Sequence, residues 1–219
     1  MLSSPEKLPA HEVVYRHIRD QILYGDLPPG HAVTIQGLVG ELGVSMTPVR
    51  EAIRRLTAEG ALDLHDNRRV SVPGVDPARF SELAYARLVI EPKLTEIAAK
   101  NMLPQDIDSL ARIDGGLNQA IELGDVKNYM RLNHGFHFSL YAHAKSDILL
   151  PIAETLWLRY GPLYRIISGK YGTSNLIDQH EEAISALRQR DPISAANAIR
   201  RDIEQGFEIV RQNFGWAAI

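Results

Sequence analysis

The stretch Val72-Pro73-Gly74-Val75-Asp76-Pro77 constrains this chain more than any other, because two prolines and a glycine can hardly continue either a helix or a strand. It separates two textures. Residues 1–72 mix short helical patterns, Gly/Pro punctuation and one strand-like alternation. From Asp76 onward, apolar residues recur at three- and four-residue spacing almost to the end. The break predicts two domains, 1–75 and 76–219, in a chain of 219 residues that has enough length for a sizeable core.

In the first region, Val13, Val14, Ile18, Ile22 and Leu23 share one face of a helix over about 10–24, ended by Gly25 and Pro28-Pro29-Gly30. Thr34 is placed to cap a second helix carrying Ile35, Leu38, Val39 and Leu42. Gly43 breaks the chain. Ser45 or Thr47 then caps a third helix with Val49, Ile53 and Leu56, and Pro48 falls near its first turn, where a missing N–H costs nothing. After Gly60, residues Leu62 to Val72 alternate around the polar tip His65-Asp66-Asn67-Arg68-Arg69, which predicts a hairpin.

Helix, helix, glycine turn, helix and hairpin follow the order of a winged helix-turn-helix. A helix N-terminus flanked by small hydroxyls suits phosphate, through free N–H groups and the positive end of the dipole. Arg50, Arg54 and Arg55 project from the early turns, where the base edges of a major groove would lie. Charges alone would not carry this, since an Arg54-Arg55 pair is more often a solvated helix face. The joint order of elements carries it.

Residues 11–72 resemble the DNA-binding domain of the GntR family of bacterial transcription regulators. The resemblance rests on Ile18, Ile22 to Gly25, Leu27-Pro28-Pro29-Gly30, Leu42-Gly43-Val44-Ser45, Thr47-Pro48-Val49-Arg50-Glu51-Ala52, Leu56 and Glu59-Gly60. It implies that Ser45, Thr47 and Arg50 contact double-stranded operator DNA, with Arg50 reading guanine and Arg54 reaching phosphate. Arg68 and Arg69 stand on the wing, where phosphate contact is implied. Met46 and Gln36 occupy positions where the family usually has arginine, and Asn67-Arg68-Arg69-Val70 replaces its usual Arg-Gly wing.

The second region reads as helices over about 77–100, 104–123, 125–143, 146–168, 175–189 and 192–213, with Pro92 expected to kink the first. Short connections favour antiparallel neighbours, so the fold class is mainly α: a winged helix-turn-helix with a small hairpin, then an antiparallel helical bundle. Asn133 and His137 lie four residues apart on one helix face, while His134 points elsewhere. His180 opens a later helix and Asp202 lies inside the last. Four such side chains on three helices could converge on a metal, although an i, i+4 polar pair is more often a hydrogen-bonded core feature.

Arg87-Leu-Val-Ile-Glu91, Asn133-x-x-Phe136-His137 and His180-Glu-Glu-Ala-Ile184 resemble the FCD effector-binding domain of the FadR subfamily within GntR. The resemblance implies a divalent metal held by Asn133, His137, His180 and Asp202 in an effector pocket. Asn133 and Asp202 depart from the commoner Asp and His, and both still offer oxygen. Two imidazoles and one negative charge suit zinc, nickel or manganese. Arg87 matches a position near the pocket, where a guanidinium suits a carboxylate effector. Its alternative is an i, i+4 pair with Glu91.

The chain holds 24 Lys plus Arg against 27 Asp plus Glu and no Cys. Thiolate chemistry and disulfides are therefore excluded. No apolar run approaches the ~20 residues that span a bilayer, and no signal pattern opens the chain, so a cytoplasmic protein with no membrane partner is expected. Near-neutral charge argues against bulk attraction to phosphate. Placement tells more than the total, because five of the eight cations in residues 1–75 lie between Arg50 and Arg69. The expectation is a homodimeric regulator, not an enzyme, whose operator affinity responds to a small carboxylate effector. Two rivals stand beside it. One is a metal-dependent enzyme acting on a small acid with a vestigial or docking winged domain, and the other is a metal-free regulator in which Asn133 and Asp202 hydrogen-bond the effector.

Overall fold

The computed structural model describes residues 8–66, 69–171 and 178–216, excepting the side chains of 166–171. Helix α1 (Ala10–Leu23) buries Val14, Tyr15, Ile18, Ile22 and Leu23. Val13, expected on that face, is 47% exposed, and Tyr15 takes the inward position instead. Strand β1 (Ala32–Val33) follows the Pro-Pro-Gly turn. Helix α2 (Ile35–Leu42) starts under the Thr34 hydroxyl, which accepts from the Gly37 N–H at 3.1 Å, and stops at Gly43, whose φ of 63° a side chain would resist. Helix α3 (Met46–Ala58) buries Val49, Ala52, Ile53 and Leu56.

The hairpin is real but short: β2 (Asp63–Leu64) and β3 (Val70–Ser71) pair antiparallel, with Leu64 opposite Val70. β1 also pairs with β3, making a sheet of order β1-β3-β2. That third strand went unforeseen because two residues are too short to show alternation.

The second region builds α4 (Pro77–Asn101), α5 (Pro104–Glu122), α6 (Val126–Ala142), α7 (Leu149–Tyr171), α8 (Gln179–Arg188) and α9 (Pro192–Phe214). Their starts follow a common logic. Asp76, Asp125, Asp178 and Asp191 each accept backbone N–H groups of the first turn, satisfying donors that have no helical partner. Pro77, Pro104 and Pro192 occupy first-turn positions where no N–H is needed. Helix α4 is a single helix through the buried Pro92. Among the described residues, no helix is long and apolar enough to cross a membrane.

Two apolar cores form. One fills the helical region from Phe80 to Val210. The other gathers α1, α3 and the sheet, and it also takes Trp157 and Leu158 from α7. The N-terminal region is therefore seated on a helix of the C-terminal region. The approach is close: a Cβ on Gly161 of α7 would lie 2.2 Å from the Leu23 carbonyl oxygen at the end of α1.

Candidate nucleic-acid interface and metal centre

Helix α3 presents its N-terminus to solvent. Ser45 occupies the N-cap position, yet its hydroxyl makes no capping bond, so both it and the first N–H groups remain available to a phosphate. Ser45, Met46, Thr47, Arg50 and Arg54 are all exposed. Arg50 and Arg54 form no hydrogen bond or ion pair with any described residue. Arg55 differs. Its guanidinium bonds Glu59 and Glu12 at 3.1 Å each and lies 3.6 Å over the Tyr15 ring. It clamps α3 to α1 and is not held out toward a groove, so the grouping of all three arginines as groove-facing is corrected. Arg69 is exposed at the start of β3, and Arg68 lies outside the described residues.

The bundle brings three of the four predicted metal ligands together. His137 Nε2 lies 3.1 Å from Asp202 Oδ2, and His180 Nε2 lies 3.3 Å from His137 Nε2 and 3.6 Å from Asp202 Oδ1. Asn133 is buried on the wall of the same cavity of about 440 Å³ and bonds no described residue. Tyr129, Tyr164 and Gln205 line that cavity too. A larger cavity, about 610 Å³, opens between the wing base, α4 and α7, and contains none of the predicted site residues.

Hydrogen bonds decide which ring nitrogens face the centre. Tyr141 Oη donates to Glu91 Oε2 at 2.7 Å, so its oxygen is an acceptor for His137 Nδ1–H at 3.0 Å. Asp114 Oδ1 likewise accepts from His180 Nδ1–H at 3.2 Å. In their neutral forms both imidazoles then turn bare Nε2 lone pairs toward each other and toward the Asp202 carboxylate. Three acceptors without a donor need a proton or a cation among them. Ligand atoms ~2.1 Å from a tetrahedral zinc are about 3.4 Å apart, which matches this spacing. The donor set fits a divalent cation.

The three groups also shift one another's titration. Burial disfavours charge on His180, but Asp202 and Asp114 outweigh it and raise its pKa. For His137 burial prevails over Asp202 and the pKa falls. Burial also opposes the Asp202 charge, yet His180 and His137 bring its pKa to about 2.

Arg87 takes the ion-pair alternative. It is 2% exposed and bonds both carboxylate oxygens of Glu91 through Nε and Nη2. Trp157 and Tyr160 enclose the guanidinium at 4.3 and 4.4 Å from its carbon. It does not line the cavity that holds His180 and Asp202. In this arrangement Arg87 anchors Glu91, which orients Tyr141 and hence His137.

Sequence reasoning missed Asp114, Tyr141 and Trp157. Asp114 had a signal, since it interrupts the apolar face Leu110, Leu117 of α5 with a buried carboxylate. His134 faces away from the centre, stacked on Phe138 with ring centroids 4.3 Å apart.

These features meet their relatives directly. Residues 10–72 match the model of the bacterial regulatory proteins of the gntR family, and residues 82–205 match that of the FCD domain. The chain belongs to the GntR family of transcription regulators, with an FCD domain. The regulator is 28% identical to the HTH-type transcriptional regulator McbR of Escherichia coli K12 over 204 residues, covering 92% of each chain. It is 24% identical to the HTH-type transcriptional repressor RspR of the same organism, over 93% of this chain and 90% of that one. The solved structure of E. coli McbR/YncC superposes with a TM-score of 0.88 at 27% identity, covering 95% of this regulator and all of that chain. A GntR structure from Rhodococcus sp. RHA1 shares the fold at a TM-score of 0.76 and 19% identity, covering 92% of this chain and 97% of that one. The regulator is thus a DNA-binding transcription regulator with a winged helix-turn-helix and a helical FCD domain.

Proposed function

We propose that this regulator binds a short palindromic operator as a homodimer in the cytoplasm, and that a divalent metal at His137, His180 and Asp202, with Asn133, holds a small carboxylate effector. The observation that carries the effector half is the convergence of two imidazole Nε2 atoms and one carboxylate within 3.6 Å, at the edge of a cavity of about 440 Å³. That volume suits a small organic molecule. The metal would supply a Lewis-acidic positive charge for a carboxylate. Asn133, Tyr129 and Gln205 would add hydrogen bonds to the rest of the molecule.

Two-fold symmetry pairs each winged helix with one half-site. Two helices that pack on each other support a dimer. α4 exposes Tyr85 and Val89 four residues apart, and Ile148, just before α7, and Ile152, in its first turn, are exposed as well. Regulation would arise because effector and DNA each favour one placement of the winged helices, so their affinities are reciprocally linked. The protein acts by binding and not by turnover.

The test uses the full chain and a fragment of its own upstream promoter. Zinc, nickel or manganese should bind in calorimetry with about one equivalent per chain, and His137→Ala/His180→Ala should remove that binding. Absence of any metal binding in the chelator-stripped wild type would favour the metal-free alternative. Failure to bind the promoter fragment at low salt, with or without candidate acids, would sink the operator reading.

A further inference from the structure

We infer that Trp157 is the positioning residue that joins the His137–His180–Asp202 centre to the DNA-binding region; this rests on the reading of that centre as the regulatory metal site. Trp157 is 4% exposed on α7 and makes two sets of contacts. Toward the centre, its indole Nε1 donates to Glu91 Oε2 at 2.9 Å, the same oxygen that receives the Tyr141 hydroxyl. That hydroxyl in turn accepts from His137 Nδ1, and the Trp157 ring packs against the His137 ring with centroids 4.9 Å apart.

Toward the DNA-binding region, Trp157 belongs to the core that contains Val14, Ile18 and Ile22 of α1. Its ring also meets His134 at 5.6 Å, and His134 meets Tyr24 at the end of α1 at 6.0 Å. One turn further along α7, Gly161 is seated against the Leu23 carbonyl with no room for a methyl group. On the side away from Asp202 and His180, the His137 ring bears on Tyr141 and Trp157, and Trp157 is the one of these two that also belongs to the core seating α1. Packed elements of this kind pass small displacements on because they resist continuous deformation.

A core tryptophan with no such role would lower stability when changed and leave regulation alone. The two are separable in the full chain. In a Trp216→Phe background, Trp157 is the only tryptophan, and zinc should alter its emission; adding His137→Ala should abolish that response. On the promoter fragment, zinc should change wild-type affinity by about fivefold or more. Trp157→Phe keeps an aromatic ring and loses the N–H donor. It should still bind zinc in calorimetry while its zinc-dependent change in DNA affinity falls below about twofold. Gly161→Ala should uncouple the sites in the same sense.

Any of three results overturns the inference: zinc binds and Trp157 emission does not change, zinc binds and wild-type DNA affinity does not change, or Trp157→Phe keeps the full zinc response. If no zinc binds the wild type in calorimetry, the metal reading itself has failed, which is a distinct outcome. Should Trp157→Phe fail to fold, the emission experiment decides, since it leaves Trp157 in place.

Discussion

Asp114 Oδ1 lies 3.2 Å from His180 Nδ1, on the ring nitrogen opposite the one that faces His137. This pairing fixes both the tautomer and the ring plane of His180, leaving Nε2 free to ligate. Asp114→Ala should therefore weaken zinc affinity about 10- to 100-fold in calorimetry. Asp114→Asn, whose amide oxygen can still accept, should lose much less. Equal affinities for wild type and Asp114→Ala would mean that His180 is not held for a metal.

Glu91 and Arg87 form a buried ion pair in which Glu91 also accepts from Tyr141 and Trp157. Burial opposes the Arg87 charge, and Glu91 overcomes it, so the pKa of Arg87 stays raised. Glu91→Ala would strand a guanidinium among aromatic rings and should cost about 3–5 kcal/mol in urea or thermal unfolding. Arg87→Met/Glu91→Leu should recover only the part owed to the stranded charge, because the Tyr141 hydroxyl and Trp157 N–H still lose their acceptor. A single-variant loss below ~1 kcal/mol would show that water or another group compensates.

The winged region was largely legible because its signals are local. Thr34, Gly43, Pro48 and Gly60 each specify a cap or a turn through their own backbone chemistry, and α2 and α3 begin and end within a residue or two of where these place them. The same holds for α4 and α9, whose Asp-Pro starts are self-contained signals. What sequence could not show is which polar residues point at one another across helices. His137 and His180 came from a motif, whereas Asp114 and Tyr141 depend on the packing of α5, α6 and α8. Arg55 illustrates the converse: its helix face was readable, but its capture by Glu12 and Tyr15 of α1 was not.

Arg54 and Arg55 are adjacent and should behave in opposite ways. Arg55→Ala removes the links to Glu12, Glu59 and Tyr15 and should lower the melting temperature by a few degrees, with DNA affinity falling only as far as folding does. Arg54→Ala should leave the melting temperature unchanged and weaken promoter binding in anisotropy titrations. The reverse pattern would reassign the phosphate-contacting residue.

Tyr15, on α1, supplies a pH test outside the His137–His180–Asp202 centre. Burial, then the Glu59 carboxylate that accepts its hydroxyl, pushes its pKa up to about 12. In the unfolded chain the phenol titrates near 10. Folding thus favours the neutral form, and this contribution is complete below pH 10 and is lost as pH rises from about 10 to 12. Wild type should lose more stability than Tyr15→Phe between pH 9 and 11 in denaturant unfolding. Parallel losses would show that the phenol is not shielded.

The most direct measurement is a salt titration of anisotropy with the promoter fragment and an unrelated duplex, for wild type and Arg50→Ala. Few free exposed cations serve α3, because Arg55 is engaged by Glu12 and Glu59, so non-specific binding should be weak and the salt slope shallow. Wild type should prefer the promoter about 10³-fold or more. Arg50→Ala should cost about 1–3 kcal/mol on the promoter with little change on the unrelated duplex. Tight binding of wild type to both duplexes, or an Arg50→Ala variant that keeps the full promoter preference, would contradict the account.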